Sequence, residues 1–149
     1  MTKELIMGNR AVIAMSTKPF NEYGPLGSDR LIKDALPAIY LHWHGDKPHV
    51  DAFLKAAKQL GVREDDAIYG MGRLTQIIGN YIGGSLSLGV GTVGTLDIDN
   101  NDNGLFWIDP NFNIAGREHN NRPDLQLSDE KQLELLHKVI EANPQFFTV

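Results

Sequence analysis

Between Pro37 and Gly61 the hydrophobic period of this chain changes once, from two residues to between three and four, so strand and helix must share one fold. From Pro37 to Gly45 the residues alternate. Ile39, Leu41 and Trp43 lie on one side, and Tyr40, His42 and His44 on the other, which predicts a strand with one core face. Directly afterwards Val50, Phe53, Leu54, Ala57 and Leu60 share a helical face, with Pro48 suited to the first turn, Asp51 near the positive helix end and Gly61 as a stop.

The rest of the chain repeats this contrast. Arg10 to Ser16 is a short apolar run that reads as a buried strand. A second helix is expected to start in Glu64, Asp65 and Asp66 and to run to about Ile82, before Gly83 and Gly84. Its three internal glycines, Gly70, Gly72 and Gly79, each cost up to about 1 kcal/mol relative to alanine, which points to close backbone packing or a nearby ligand. Ser85 to Val93 alternates again, with Leu86, Leu88 and Val90 opposite Ser85, Ser87, Gly89 and Gly91, a strand with one nearly bare face. Thr95 to Ala115 reads as a meander: a strand, the Asn101–Gly104 turn, a strand from Leu105 to Ile108, a Pro110–Asn111 turn and a further short strand. Ser128 caps a last helix whose apolar face is Leu133, Leu136, Val139 and Ile140, ended by Asn143-Pro144.

These elements predict a single α+β domain over residues 1–149: a mainly antiparallel sheet with two central helices packed on one face and a C-terminal helix at an edge. Residues 1–7 and 144–149 are expected to be tails, the latter with Phe146 and Phe147 free to dock, and 116–127 a polar linker to the last helix. The stretch from 17 to 29, broken by Pro19, Gly24, Pro25 and Gly27, is long enough to act as a lid or binding segment.

Composition narrows the function. A chain of 149 residues supports one core, and a net charge of −5 supplies no general attraction to phosphate backbones, so direct nucleic-acid binding is not expected. Without cysteine there is no disulfide, thiolate nucleophile or iron–sulfur cluster, and any metal would have to use histidine and carboxylates. The apolar runs are short and Met1 to Met7 lacks a signal-peptide pattern, so no membrane partner and a cytoplasmic location are expected.

Four motifs compete for chemistry. His42 and His44 on one strand face, followed by Asp46, His49 and Asp51, offer metal-ligand atoms, but a metal needs three or four that converge, and an ordinary strand face or organic-ligand surface is the better reading. Asp99 to Gly104 matches the first half of a calcium loop; the twelfth position is Pro110 rather than Glu, so a hairpin turn is expected. Gly89-Val90-Gly91-Thr92-Val93-Gly94 has dinucleotide-binding spacing by letter, but strand-like residues follow where a helix must begin, so no cofactor is implied. Tyr69, Arg73, Gln76 and Asn80, at spacings of four, three and four, line one helical face: Arg73 to grip a phosphate or carboxylate, Gln76 and Asn80 to read hydrogen-bonding edges, and Tyr69 or Tyr40 to stack on a ring. The competing reading of this stripe is a solvated face. No serine or threonine sits in a nucleophile elbow, so catalysis is unmotivated.

Gly8-Asn9-Arg10-Ala11-Val12-Ile13, Ile39-Tyr40-Leu41-His42-Trp43, Arg73-Leu74 with Gln76 and Ile78-Gly79-Asn80, Gly83-Gly84 with Leu86-Ser87 and Gly89, and Asp97, Asp99 and Asp102-Asn103-Gly104 together resemble a family of small uncharacterised proteins encoded by bacteriophages and mobile elements. The resemblance spans residues 8–118; the family pattern has Asn-Gly where this chain has His44-Gly45. It implies a genetic context in an infected or host bacterium and no chemistry. The function expected is that of a non-enzymatic binding protein which sequesters a small polar ligand, a nucleotide-derived immune signal among the candidates, and blunts a bacterial defence. Asn9, Arg10, Tyr40, His42, Tyr69, Arg73, Gln76 and Asn80 would line the site, and a homo-oligomer would deepen it. Two other readings stand beside it. One is an inhibitor of a host defence protein, of the anti-CRISPR or anti-restriction kind, acting through Asp97, Asp99, Asp102 and Asp109 or through Phe146 and Phe147. The other is a metal-dependent hydrolase or phosphodiesterase built on His42 and His44.

Overall fold

A computed structural model describes residues 8–16, 32–83 and 87–144, so the 17–29 stretch and the Phe146–Phe147 tail lie outside the described residues. The elements run β1 (Ala11–Met15), β2 (Pro37–Leu41), α1 (Lys47–Gln59), α2 (Ala67–Ile82), β3 (Leu88–Thr92), β4 (Leu105–Ile108), β5 (Ile114–Glu118) and α3 (Asp129–Glu141). The strands form one sheet in the order β3-β2-β1-β4-β5. Three ladders are antiparallel and the central β1–β4 ladder is parallel, with Ile13 beside Phe106, so the protein is α+β with a mixed, mainly antiparallel sheet.

β1 is buried along its whole length because both faces of the sheet are covered, which is why its sequence is a continuous apolar run rather than an alternation. Ala11, Ile13, Met15, Ile39, Leu41, Phe106 and Ile108 face the helices and pack with Phe53, Leu74, Ile77 and Ile78. Val12, Ala14, Ala38, Leu105 and Trp107 face the other way and form a smaller core with Val93, Leu96 and Ile98.

That second core explains a departure from the expected meander. Residues 95–98 are no strand: the backbone N–H groups of Thr95 and Leu96 both donate to the Thr92 carbonyl, 3.1 and 3.0 Å away, and the chain curls back over the sheet. Leu96 and Ile98 then help to cover the face opposite α1 and α2. Gly91 permits the curl, since a Cβ there would lie 2.9 Å from Leu96 Cδ2, and this close approach is what the glycine-rich stretch is for.

Each of α1, α2 and α3 is capped by a side chain, at Ser128 as expected and also at Asp46 and Asp66. Asp46, Asp66 and Ser128 accept from the backbone N–H groups of His49, Tyr69 and Lys131. Gly70 lets α2 lie against the sheet, where a Cβ would sit 3.1 Å from Met15 Cε, whereas Gly72 faces open space. The C-terminal helix packs through Leu135, Leu136 and Val139 onto α1 and α2 rather than at a sheet edge. Residues 116–118, expected in the linker, are the second half of β5. Among the described residues no helix is long and apolar enough to cross a membrane.

Candidate ligand-binding site

The alternation of β2 stops at Leu41, and the next four residues decide what its polar neighbours do. His44 adopts φ +64°, a left-handed conformation that turns its ring out of line with His42. Gly45 then packs against the start of β1, where a Cβ would lie 2.6 Å from the Asn9 carbonyl oxygen. Two backbone bonds of 2.8 Å, Asn9 N–H to the His42 carbonyl and Gly45 N–H to the Asn9 carbonyl, lock this bend to residues 8–10.

The two histidines expected on one face therefore separate. Nδ1 of His42 shares a 3.0 Å hydrogen bond with the Tyr40 hydroxyl. His44 instead stacks on His49, with ring centroids 4.8 Å apart, and meets the edge of Tyr81 at 5.6 Å. Burial, and then the neighbouring His49, push the His44 pKa down. Among the described residues no group of three or more His, Asp or Glu could hold a metal, so the His42–His44 alternative has no geometry behind it.

Asp46 is the hinge between the helix side and the sheet end. Its carboxylate caps α1, lies 2.9 Å from Nδ1 of His49 and accepts from Asn9 Nδ2 at 2.7 Å. Burial alone would raise its pKa, but the hydrogen bonds and charge of His49, with the bond from Asn9, outweigh this and hold it below the usual carboxylate range.

A second anchor is the 99–104 turn, which is built around a buried asparagine and leads into β4 rather than joining two hairpin strands. Oδ1 of Asn100 accepts from the backbone N–H groups of Asp102 and Gly104, 3.1 and 3.0 Å away, so the apparent calcium letters fold the loop on itself. Gly104 has φ +67°, and a Cβ there would strike the carbonyl oxygens of Glu118 and His119.

The turn presents Asp102 and Asn103 to the start of β1. Oδ2 of Asp102 accepts from Arg10 Nε at 2.8 Å and from the Arg10 backbone at 3.1 Å, while Oδ1 accepts from Arg122 Nη2. Asn103 Nδ2 donates to Asn9 Oδ1 at 2.7 Å and to the Arg10 carbonyl at 3.0 Å. Arg122 Nη1 reaches the same Asn9 oxygen at 3.2 Å. Nearby, Arg117 donates to both oxygens of Asp124 and lies over the Phe106 ring, 3.8 Å from its centroid.

This network floors a cleft of about 370 Å³, bounded by Asn9, Asp46 and Asn103 on one side and by residues 122–126 on the other. Arg10 and Arg122 share Asp102 and Arg117 holds Asp124, so with the Asp46 carboxylate the charges around the cleft balance, while Pro123 and Leu125 give it an apolar wall.

The eight residues expected to line one site thus divide. Asn9 and Arg10 belong to the cleft network, and Tyr40 and His42 lie beside it at the same sheet end, joined to each other. Tyr69, Arg73 and Gln76 face outward from α2, where Arg73 Nη1 donates to Gln76 Oε1 at 3.2 Å. Asn80 ties α2 to the end of α3, donating 2.8 Å to Asn143 Oδ1. Of the acidic patch expected for a protein inhibitor, Asp102 is buried between two arginines, whereas Asp97 and Asp99 are exposed. Sequence reading took Asp46 only as a candidate metal ligand, Asn103 as a turn residue and Arg122 as part of a linker. The first two carried a turn or cap signal, but Arg122 carried none, since only the return of the chain after β5 brings it to Asn9.

An α+β protein with a locked, charge-balanced cleft at one end of its sheet is the class that fold and site define. Compared with known proteins, the chain matches no family model, no curated protein and no solved structure.

Proposed function

We propose that this chain is a binding protein that captures a small polar ligand in the cleft between Asn9, Asn103 and Arg122, and that a phage or mobile element uses it to sequester a nucleotide-derived signal of bacterial defence. The single observation that carries the reading is preorganisation. The carboxamides of Asn9 and Asn103 and the guanidinium of Arg122 are held by bonds to one another and to aspartates before any ligand arrives. The volume of about 370 Å³ lies at the small end of the roughly 300–1,000 Å³ typical of small-molecule pockets, which favours a ligand the size of one nucleoside in each protomer.

Native mass spectrometry after incubation with a bacterial small-molecule extract tests this. The wild-type protein is expected to carry an adduct that Arg122→Ala loses and Arg73→Ala keeps. No adduct, or one that depends on Arg73 and ignores Arg122, would overturn the reading.

A second reading has its own observation. On α2, Ile68 is 86% exposed and Tyr69 57% exposed, beside Gly72 and Arg73, a mix of apolar, aromatic and arginine side chains suited to a protein contact. Inhibition of a defence protein would use that face, and its mark is tight binding to a protein that Ile68→Asp abolishes while the cleft variants bind normally.

A further inference from the structure

We infer that the cleft selects a ligand edge in which a ring N–H stands next to a carbonyl, the lactam edge of guanine or uracil, with the N–H donating to Asn103 Oδ1 and the carbonyl accepting from Arg122. The inference rests on the ligand-capture reading of the same cleft and gives it a chemical class.

The argument begins with the orientation of two carboxamides. The Asp46 carboxylate can only accept, so the Asn9 atom facing it at 2.7 Å is the amide nitrogen, and Asn9 Oδ1 must point the other way. The Arg10 carbonyl can likewise only accept, so the Asn103 atom 3.0 Å from it is the nitrogen. Every other polar atom of Asn103 is engaged: its backbone N–H by the Arg10 carbonyl and its backbone oxygen by Arg117 Nη2. Among the described residues its Oδ1 accepts no hydrogen bond, although the residue is only 1% exposed and lines the cleft. A fixed, nearly buried acceptor of this kind calls for a donor.

Arg122 supplies the complementary half. Nη1 and Nη2 each spend one hydrogen, on Asn9 and Asp102, which leaves the Nε–H and one hydrogen on each Nη for a ligand acceptor. Asn103 Nδ2 and Arg122 Nη1 converge on the same oxygen of Asn9, which makes the Asn103 carboxamide and the Arg122 guanidinium neighbours in the cleft wall. Charge selects a neutral edge over a phosphoryl group. The guanidinium already faces Asp102, Arg117 already holds Asp124, and a phosphate would meet those carboxylates. Adenine and cytosine carry the donor on the exocyclic amine and the acceptor on the ring nitrogen, so they meet Asn103 and Arg122 only in a reversed and shifted pose.

Isothermal titration of the wild-type protein with guanosine, uridine, 1-methylguanosine, 3-methyluridine, adenosine and cytidine tests this without any variant. Methylation replaces the lactam donor with a methyl group, so binding of at least one parent nucleoside with a loss of about tenfold or more in its methylated form is expected, adenosine and cytidine binding more weakly than that parent. Arg122→Gln is expected to weaken the same parent nucleoside. Equal affinity for parent and methylated forms would overturn the lactam assignment and leave ligand capture standing. So would the absence of nucleoside binding by a protein that still carries an Arg122-dependent adduct from extract. A protein that binds neither nucleosides nor any extract component would sink both.

Discussion

The sheet end and the outer face of α2 hold the same kinds of side chain, arginine, asparagine or glutamine, and tyrosine, yet only one of them has the geometry of a site. At the sheet end Asn9 is held from three directions, by Asp46, Asn103 and Arg122, and among the described residues Asn103 keeps an acceptor and Arg122 donor hydrogens to spare. On α2, Arg73 meets Gln76 in a single exposed contact within its own helix. Polar residues become a binding surface when distant parts of the chain satisfy most of their hydrogen bonds and fix the remainder. A periodic stripe on one helix has no such constraint and stays a solvated face.

Four substitutions put that contrast under strain, in descending order of effect. Gly104→Ala should be the most damaging, at about 3 kcal/mol or more, because the left-handed φ disfavours any side chain and the Cβ collides with the backbone after β5. Urea denaturation reads this as a lower midpoint. Asp102→Ala should cost about 3 kcal/mol by the same measurement, since it leaves Arg10 and Arg122 without their shared carboxylate, and it should abolish ligand capture. A loss under about 0.5 kcal/mol would mean that the network is no stronger than an ordinary surface pair.

Asp46→Asn should cost about 1–2 kcal/mol near neutral pH and change the acid limb of the stability curve. In the folded protein Asp46 titrates below its ordinary value of 3.8. Its stabilisation is therefore fully present above that value and is lost as pH falls through the lower, folded value. Glu118 contributes in the same direction: burial would raise its pKa, but the Trp107 indole N–H and Lys33 hold it down. Thermal melts between pH 2 and 6 should thus fall less steeply toward acid in Asp46→Asn than in wild type, and parallel curves would remove Asp46 from the account. Arg73→Ala should have the smallest effect, under about 0.5 kcal/mol and with ligand capture unchanged, because its side chain is exposed and bonded only within α2. A variant that loses the ligand would reverse the comparison and return the site to the helix.

How far the fold was legible follows from the range of the forces that make each element. α1 and α3 are local objects: a capping side chain, an apolar face and a charge near each end are all within a few residues of one another. The central strands were legible as apolar runs, but the parallel β1–β4 pairing was not, because it joins segments some ninety residues apart. Residues 95–98 were misread as a strand because their alternation serves another purpose, covering a sheet face that only the assembled fold leaves open.

The candidate site divides in the same way. Asn9 and Arg10 stood out as polar residues directly before a buried strand, and both belong to the network. Tyr69, Arg73 and Gln76 stood out for their periodicity, which says only that they share a face, not whether anything lies against it. By itself the sequence determined the α+β class, the Ser128 cap and the absence of thiol chemistry, since each depends on residue type and near neighbours. The tertiary structure alone decided that His42 and His44 part company and that Asp46, Asp102, Asn103 and Arg122 meet at Asn9. A side chain's hydrogen-bond partners are set by where distant backbone arrives, and local spacing carries no record of that.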